Sequence, residues 1–311
     1  MTRTARYHVD HQTTYRYASA VSLSRQQLHL TPRDWAGQRC LAQRIVVDPE
    51  PTHARSSVDP FGNPLTQFDI EAPHNRLVVR AQSTVEVRSR RPPPGAPRPD
   101  PRWEDVAGAL AYGVRPVLIE ANRFLFESPY VRVKHEFSDY AAASFGKGRP
   151  LLDAAGDLMR RIHSEFEFDP AATTVATPVL KILEDKRGVC QDFAHLMLAC
   201  LRSLGLAARY VSGYLLTQPP PGQPRLIGAD ASHAWVSLYC PDAEGGRWVD
   251  FDPTNNLQPD TEHITLAWGR DFCDVSPLRG VILGGDAHEL DVAVTVTPLE
   301  QASSANPGGA H

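Results

Sequence analysis

One stretch of the 311-residue chain puts a reactive residue type where packing does not call for it. Residues 187–214 read RGVCQDFAHLMLACLRSLGLAARYVSGY, and Cys190 stands ahead of an amphipathic run rather than inside its apolar stripe, where Cys200 falls. If Cys190 opens a helix, the unpaired amides of the first turn and the positive end of the helix dipole favour a thiolate. A free thiol titrates near about 8.5, and such a position beside a histidine lowers that to roughly 3.5–7.5. The same residue read as a small packed hydrophobe would do no chemistry.

Two further residues supply company. In ASHAWVSLY, Ala231, His233, Trp235 and Ser237 share one face of an expected strand, with His233 near its start after a loop, where functional side chains tend to sit. In WVDFDPT, Trp248, Asp250 and Asp252 alternate onto one face, so both carboxylates, roughly 7 Å apart along the strand, can look toward His233. A satisfied structural histidine and a turn-forming aspartate before Pro253 are the plain alternatives. Taken in chain order, a helix-capping cysteine, a strand histidine and a strand-end aspartate match the logic of an activated nucleophile, with base beside thiol and orienter beside base.

The elements that must position these residues divide the chain. Residues 1–88 carry period-two alternation: Leu77, Val79, Ala81, Val85 and Val87 share a face, YHVDHQTTYRY and RIVVD are further β-rich runs, and DPFGNP marks a turn. This is read as an N-terminal β-sandwich-like domain. Residues 89–103 form a proline-rich linker. Helical spacing follows in WEDVAGALAY, LLDAAGDLMRRIHSEFEF and PVLKILEDK, with Pro178 in the first turn of the last. The helix after Cys190 places Phe193, Ala194, Met197, Leu198, Leu201 and Leu204 on one stripe and ends at Gly205. Strands are expected at AARYVSGYLL, SHAWVSLYC and GRWVDFDP around a Pro/Gly-rich loop near 217–225, and at ELDVAVTVTPL, with Leu290, Val292, Val294 and Val296 on one face. The second domain is therefore taken as 104–298, an α+β core with a central helix on an antiparallel sheet, and 299–311 as a disordered tail.

Composition narrows the class. With 42% apolar and 22% charged residues, the chain has the usage of a globular protein, and no apolar run approaches the roughly 18 residues of a membrane span. A net charge of -4 argues against a nucleic-acid partner. Cys40, Cys190, Cys200, Cys240 and Cys273 are odd in number and lack paired spacing, which predicts reduced thiols in the cytoplasm, and the N-terminus shows no signal-peptide core. No membrane partner is expected, and oligomeric state is not read.

GVCQDFAHL, GLAARYVSGYL, ASHAWVSLY and WVDFDPTNN resemble four successive motifs of the bacterial transglutaminase-like cysteine peptidase family, relatives of papain and animal transglutaminases. GRDFCDVSPLRGV and the β-rich N-terminal unit resemble that family as well, so the likeness covers nearly the whole chain. It implies a Cys-His-Asp triad of Cys190, His233 and Asp252, no cofactor and no metal. Asp250 stands where the family pattern has a small residue, and so adds a second candidate carboxylate.

The expected chemistry is acyl transfer through a thioester on a peptide or amide substrate, with hydrolysis favoured over amine transfer. The Cys190 N–H would give one oxyanion donor. Gln191 is a weaker candidate for the second, and Asp192 is expected to stabilise the helix start or bind a substrate amine. Tyr214, Trp235 and Trp248 would line or support the cleft, and His195 would lie on a helix face. Two readings of other classes stand beside this one: a peptide-binding module on a degenerate scaffold, and a metal site of Cys190, His195, His233 and Asp252.

Overall fold

The computed structural model describes residues 3–91, 95, 99–111, 119–217, 231–242 and 245–299. Five strands come first: β1 (Thr4–Leu28), β2 (Gln38–Asp48), β3 (His53–Val58), β4 (Pro64–Ile70) and β5 (His74–Arg88). Four helices follow, α1 (Trp103–Leu110), α2 (Ile119–Asn122), α3 (His135–Ala142) and α4 (Leu151–Glu165), then β6 (Glu167–Phe168), α5 (Val179–Asp185) and β7 (Arg187–Gly188). Next come α6 (Cys190–Ser203), β8 (Ala208–Leu215), β9 (Ala231–Cys240), β10 (Arg247–Phe251) and β11 (His263–Gly269). The last elements are α7 (Phe272–Val275), β12 (Leu278–Gly284) and β13 (His288–Leu299).

The expected β-rich N-terminal unit is a single curled antiparallel sheet of seven strands, ordered β2-β5-β1-β4-β3, with β12 and β13 also paired to β1. Its spine is the 25-residue β1. The first half of β1 pairs with β5 and β13, and its second half with β4 and β12. The alternation read in β5 is real: Leu77, Val79, Ala81, Val85 and Val87 are all buried.

The chain's end corrects the expected boundary of 104–298 for the core. β12 and β13 return to the first domain because β1 is long enough to offer them a pairing edge, so that sheet is built from both ends of the chain. The single apolar face expected for β13 holds only in part: Val294 and Val296 are buried, whereas Leu290 and Val292 are exposed. The tail from 300, six of the fifteen residues of the proline-rich linker (92–94 and 96–98) and residues 218–230 lie outside the described residues.

The core is a four-stranded antiparallel sheet, β10-β9-β8-β11. On one face Tyr210 meets His195 of α6, with ring centroids 5.1 Å apart. Because side chains alternate along a strand, Arg209 and Val211 point to the other face, together with their cross-strand partners Ser237 and Trp235. The expected stripe on α6 understated its burial. Every residue from Asp192 to Arg202 is buried, so α6 is a central helix enclosed on all sides.

The second sheet face is covered by the N-terminal unit. β11 is an edge strand whose outer backbone groups would otherwise be orphaned. Two fully buried side-chain amides take that role. Gln38 donates to Thr265 O at 2.7 Å and accepts from Thr265 N at 2.8 Å. Asn63 does the same at Trp268, donating to its O at 2.8 Å and accepting from its N at 3.0 Å.

Candidate active site

Cys190 is the first residue of α6, and the sequence just before it explains the tight entry. Asp192 turns back so that its Oδ2 accepts from Val189 N at 2.9 Å and from Thr173 Oγ1 at 2.6 Å, a carboxylate lock on the first turn. A Cβ on Gly188 would lie 2.8 Å from that carboxylate, so only glycine fits there. Asp192 is thus committed to the helix start, the structural role among the two expected for it, and burial raises its carboxyl above the usual range. Cys190 and Gln191 are half-buried at the mouth of the helix.

His233 enters from the start of β9, opposite Gly213 of β8. A Cβ at Gly213 would fall 2.1 Å from Ile264 O and 2.5 Å from the Trp235 ring, so the glycine gives the indole its room. Trp235 is fully buried and packs edge-on against His263, with centroids 5.2 Å apart. It supports the site from beneath.

The imidazole of His233 is held between Asp252 and Cys190. Its Nε2 donates to Asp252 Oδ2 at 2.7 Å, and Cys190 is near enough to act on the ring electrostatically. Asp252 lies just past β10, where the chain turns back and Asp252 bridges to Leu257. Its Oδ2 also accepts from His263 Nε2 at 3.1 Å and from Asn255 Nδ2 at 2.8 Å. Its Oδ1 accepts from Thr254 N at 3.0 Å and Asn255 N at 3.2 Å. Five donors therefore converge on one fully buried carboxylate.

These contacts set the electrostatics. Burial alone would push Asp252 up, but the hydrogen bonds from His233, His263 and Asn255 and the nearby imidazole charge hold it well below the usual carboxylate range. Burial would likewise push His233 down. The hydrogen bond to Asp252 and the charges of Asp252 and Cys190 overcome it and raise the imidazole to about 10. His263 moves the other way because burial dominates there, which leaves a neutral ring whose Nε2–H donates while its buried Nδ1 has no partner.

Asp250, the second carboxylate of the strand, is not at the imidazole. It is ion-paired with Arg90, and both side chains are 11% exposed. Rather than completing the triad, it is taken by a partner 160 residues earlier in the chain. Arg90 also donates to His263 O at 3.0 Å and Thr265 Oγ1 at 3.2 Å, which pins the linker to the sheet.

Tyr214 does not line a cleft: its hydroxyl meets His11 Nδ1 of β1 at 2.7 Å, both groups buried. Trp248 packs against Phe124 and Tyr239 on the same sheet face as Arg209. His195 lies on a face of α6 turned into the core. It is buried, stacks on Tyr130 and accepts from Phe272 N at 3.2 Å. The metal set of Cys190, His195, His233 and Asp252 is therefore not brought together. Among the described residues, the group with ligating atoms within 4.8 Å of one another is His233, Asp252 and His263, already joined by hydrogen bonds.

Sequence reasoning missed His263 and Asn255. Asn255 sits inside the WVDFDPTNN motif, so its proximity to Asp252 was a usable signal. His263 had none beyond its place at the head of an alternating run, because only β11 pairing with β8 brings it beside Asp252.

Residues 7–86 match the bacterial transglutaminase-like N-terminal region, and residues 139–253 match the transglutaminase-like superfamily core. The uncharacterized protein Rv2569c of Mycobacterium tuberculosis is 41% identical over 96% of this chain and 94% of its own length. The uncharacterized protein ML0607 of Mycobacterium leprae is 32% identical over 94% of this chain and 99% of its own. A protein-glutamine gamma-glutamyltransferase of Pseudomonas aeruginosa is 28% identical over 36% of this chain and 19% of its own length. In fold, the chain is similar to the crystal structure of a proposed cysteine protease from Cytophaga hutchinsonii, with a TM-score of 0.73 and 20% identity over 96% of this chain and 92% of that one. The chain belongs to the transglutaminase-like superfamily, in the branch that carries the bacterial transglutaminase-like N-terminal region.

Proposed function

We propose that the chain is a thiol enzyme that cleaves amide or peptide bonds by acyl transfer, with Cys190, His233 and Asp252 as its catalytic triad. The observation that carries the reading is a helix-terminal cysteine whose charge acts on His233, an imidazole bonded in turn to a buried carboxylate satisfied by five donors. The Cys190 sulfur attacks the carbonyl carbon as thiolate, its proton held on His233, and the tetrahedral oxyanion forms near the first-turn amides of α6, with Cys190 N–H as one donor. His233 then protonates the leaving amine, giving a thioester on Cys190. Water, activated by the now neutral imidazole, resolves the thioester to an acid and restores the thiol. An amine in its place would give a new amide. Asp252 keeps Nε2 protonated and so leaves Nδ1 to exchange the proton with sulfur.

Hydrolysis is the favoured outcome, on peptide-like substrates in the cytoplasm. A peptide-library digest, read by mass spectrometry for both cleaved and cross-linked products, tests this. Cleavage that vanishes in Cys190→Ala supports the proposal, and no Cys190-dependent product of either kind would favour a binding module. The His233, Asp252 and His263 group gives a metal reading its one observation. Stoichiometric zinc in purified protein, with chelation abolishing whatever activity is found, would replace the thiol mechanism.

A further inference from the structure

A cavity of about 1130 Å³ lies on the sheet face turned away from α6, between the N-terminal unit, α4 and the core sheet. Neither Cys190 nor His233 lines it. Its walls carry five arginines, Arg90, Arg91, Arg160, Arg209 and Arg247, against two aspartates, Asp153 and Asp250. Four of those arginines already have a carboxylate: Arg90 has Asp250, Arg91 has Asp260, Arg160 has Asp157 and Arg247 has Asp242. Arg209 has none among the described residues, and it is the most deeply placed of the five, 8% exposed.

Arg209 instead rests on aromatic rings. Its guanidinium carbon is 4.2 Å from the Trp248 ring centroid and 3.7 Å from that of Trp268. Stacking of this kind leaves the planar N–H fork free for in-plane hydrogen bonds, and that fork matches the two oxygens of a carboxylate or phosphate. Its Nε is buried with no hydrogen-bond partner, and Trp35 Nε1 and Arg90 Nε on the same cavity wall are in the same condition. Asp250, on the same sheet face two strands away, is the carboxylate Arg209 would otherwise use, and Arg90 has taken it. Burial lowers the Arg209 guanidinium to about 9; the charge of Asp250 offsets this in part, while Arg33 and Arg90 add to it. A buried charge left without partner is costly, and packing alone would be served as well by an apolar residue.

We propose that this cavity binds a small molecule bearing an oxyanion on an apolar body, the anion held by the N–H fork of Arg209 and the body against Trp35, Trp248 and Trp268. The site is separate from the thiol chemistry and does not depend on it. The experiment is calorimetric titration of the full chain with two probes: inorganic phosphate, and hippurate as a carboxylate on an aromatic body. Saturable binding with Kd below about 1 mM is expected for at least one probe, and which one binds identifies the oxyanion. Arg209→Met should weaken it at least about tenfold, since the charged fork is lost while the stem is kept. Arg209→Lys keeps the charge but not the fork and should weaken binding several-fold, so a folding failure in one variant leaves the other as the comparison. No saturable binding of either probe to the wild-type chain up to about 10 mM, or equal binding by the variants, overturns the site. The titration reads no catalysis, so its failure is distinct from failure of the proposed enzyme.

Discussion

Asp250 in β10 and Asp252 just past its end are two residues apart, yet they carry different burdens. Asp252 stands beyond the strand end, where five donors meet it, whereas Asp250 is spent on Arg90. Asp252→Asn is expected to lower kcat by a factor on the order of 100 or more, because the imidazole loses both its orientation and its protonated Nε2. Asp250→Asn should leave kcat nearly intact and instead lower the melting temperature, since it strands a largely buried guanidinium. Steady-state kinetics and thermal melts on both variants decide this, and the reverse ranking would move the orienting role to Asp250. The raised His233 adds a pH signature. Its folded value of about 10 lies above the ordinary histidine value, so its stabilisation is fully present below about 6.5 and is lost as pH rises toward 10. Asp252, depressed, contributes above the ordinary carboxylate range and loses that as pH falls through its folded value. The melting-temperature gap between wild type and Asp252→Asn should therefore be widest between about pH 4 and 6.5 and narrow toward pH 10. A gap that does not change with pH would count against the pairing. Periodicity could not separate the two carboxylates, because it assigns faces and not partners, and Arg90 is 160 residues away.

At the scale of elements, α6 shows what local sequence can and cannot say. Its start at Cys190 was legible from the glycine, the cysteine and the apolar spacing, and Gly205, at φ 76°, follows its end. The lock by Asp192 rests on a local cue, a carboxylate in the first turn, but Thr173, its second partner, was not foreseeable. Asp192→Ala should cost about 1 kcal/mol of stability, as loss of a helix-start carboxylate does, measured by denaturant unfolding, and should slow any Cys190 chemistry by loosening the first turn. An unchanged midpoint would mean that the carboxylate is not a cap. The full enclosure of α6 was illegible for a simple reason: stripes reveal one packed face, whereas α3, α4, α5 and the sheet all press on this helix.

For the whole molecule, the most consequential point that sequence could not give is that the first sheet is made from both chain ends. Strand β13 was recognised by its alternation, but nothing local says that it pairs with Arg6–Tyr17. The N-terminal unit is accordingly structural. It covers a sheet face, satisfies the edge of β11 through Gln38 and Asn63, and seats Arg90 beside His263. A fragment of residues 103–300 would leave β12 and β13 without β1 and expose that edge, so it is expected to aggregate or to lose its cooperative thermal transition. Circular dichroism with size-exclusion chromatography checks this, and a well-folded monomeric fragment would show that the core stands alone.

The central claim is that Cys190 is an activated nucleophile through His233, and site-resolved alkylation of the five free cysteines tests it most directly. Cys200 and Cys240 are buried thiols pushed up to about 12 and about 11, and burial and Asp34 push Cys40 up too, so Cys273, half-buried like Cys190, is the fair comparator. At pH 7, Cys190 should react with iodoacetamide at least about tenfold faster than Cys273, and His233→Ala should bring it down to the rate of Cys273. Equal rates in the wild-type chain, or a fast Cys190 that does not respond to the loss of His233, would contradict the account.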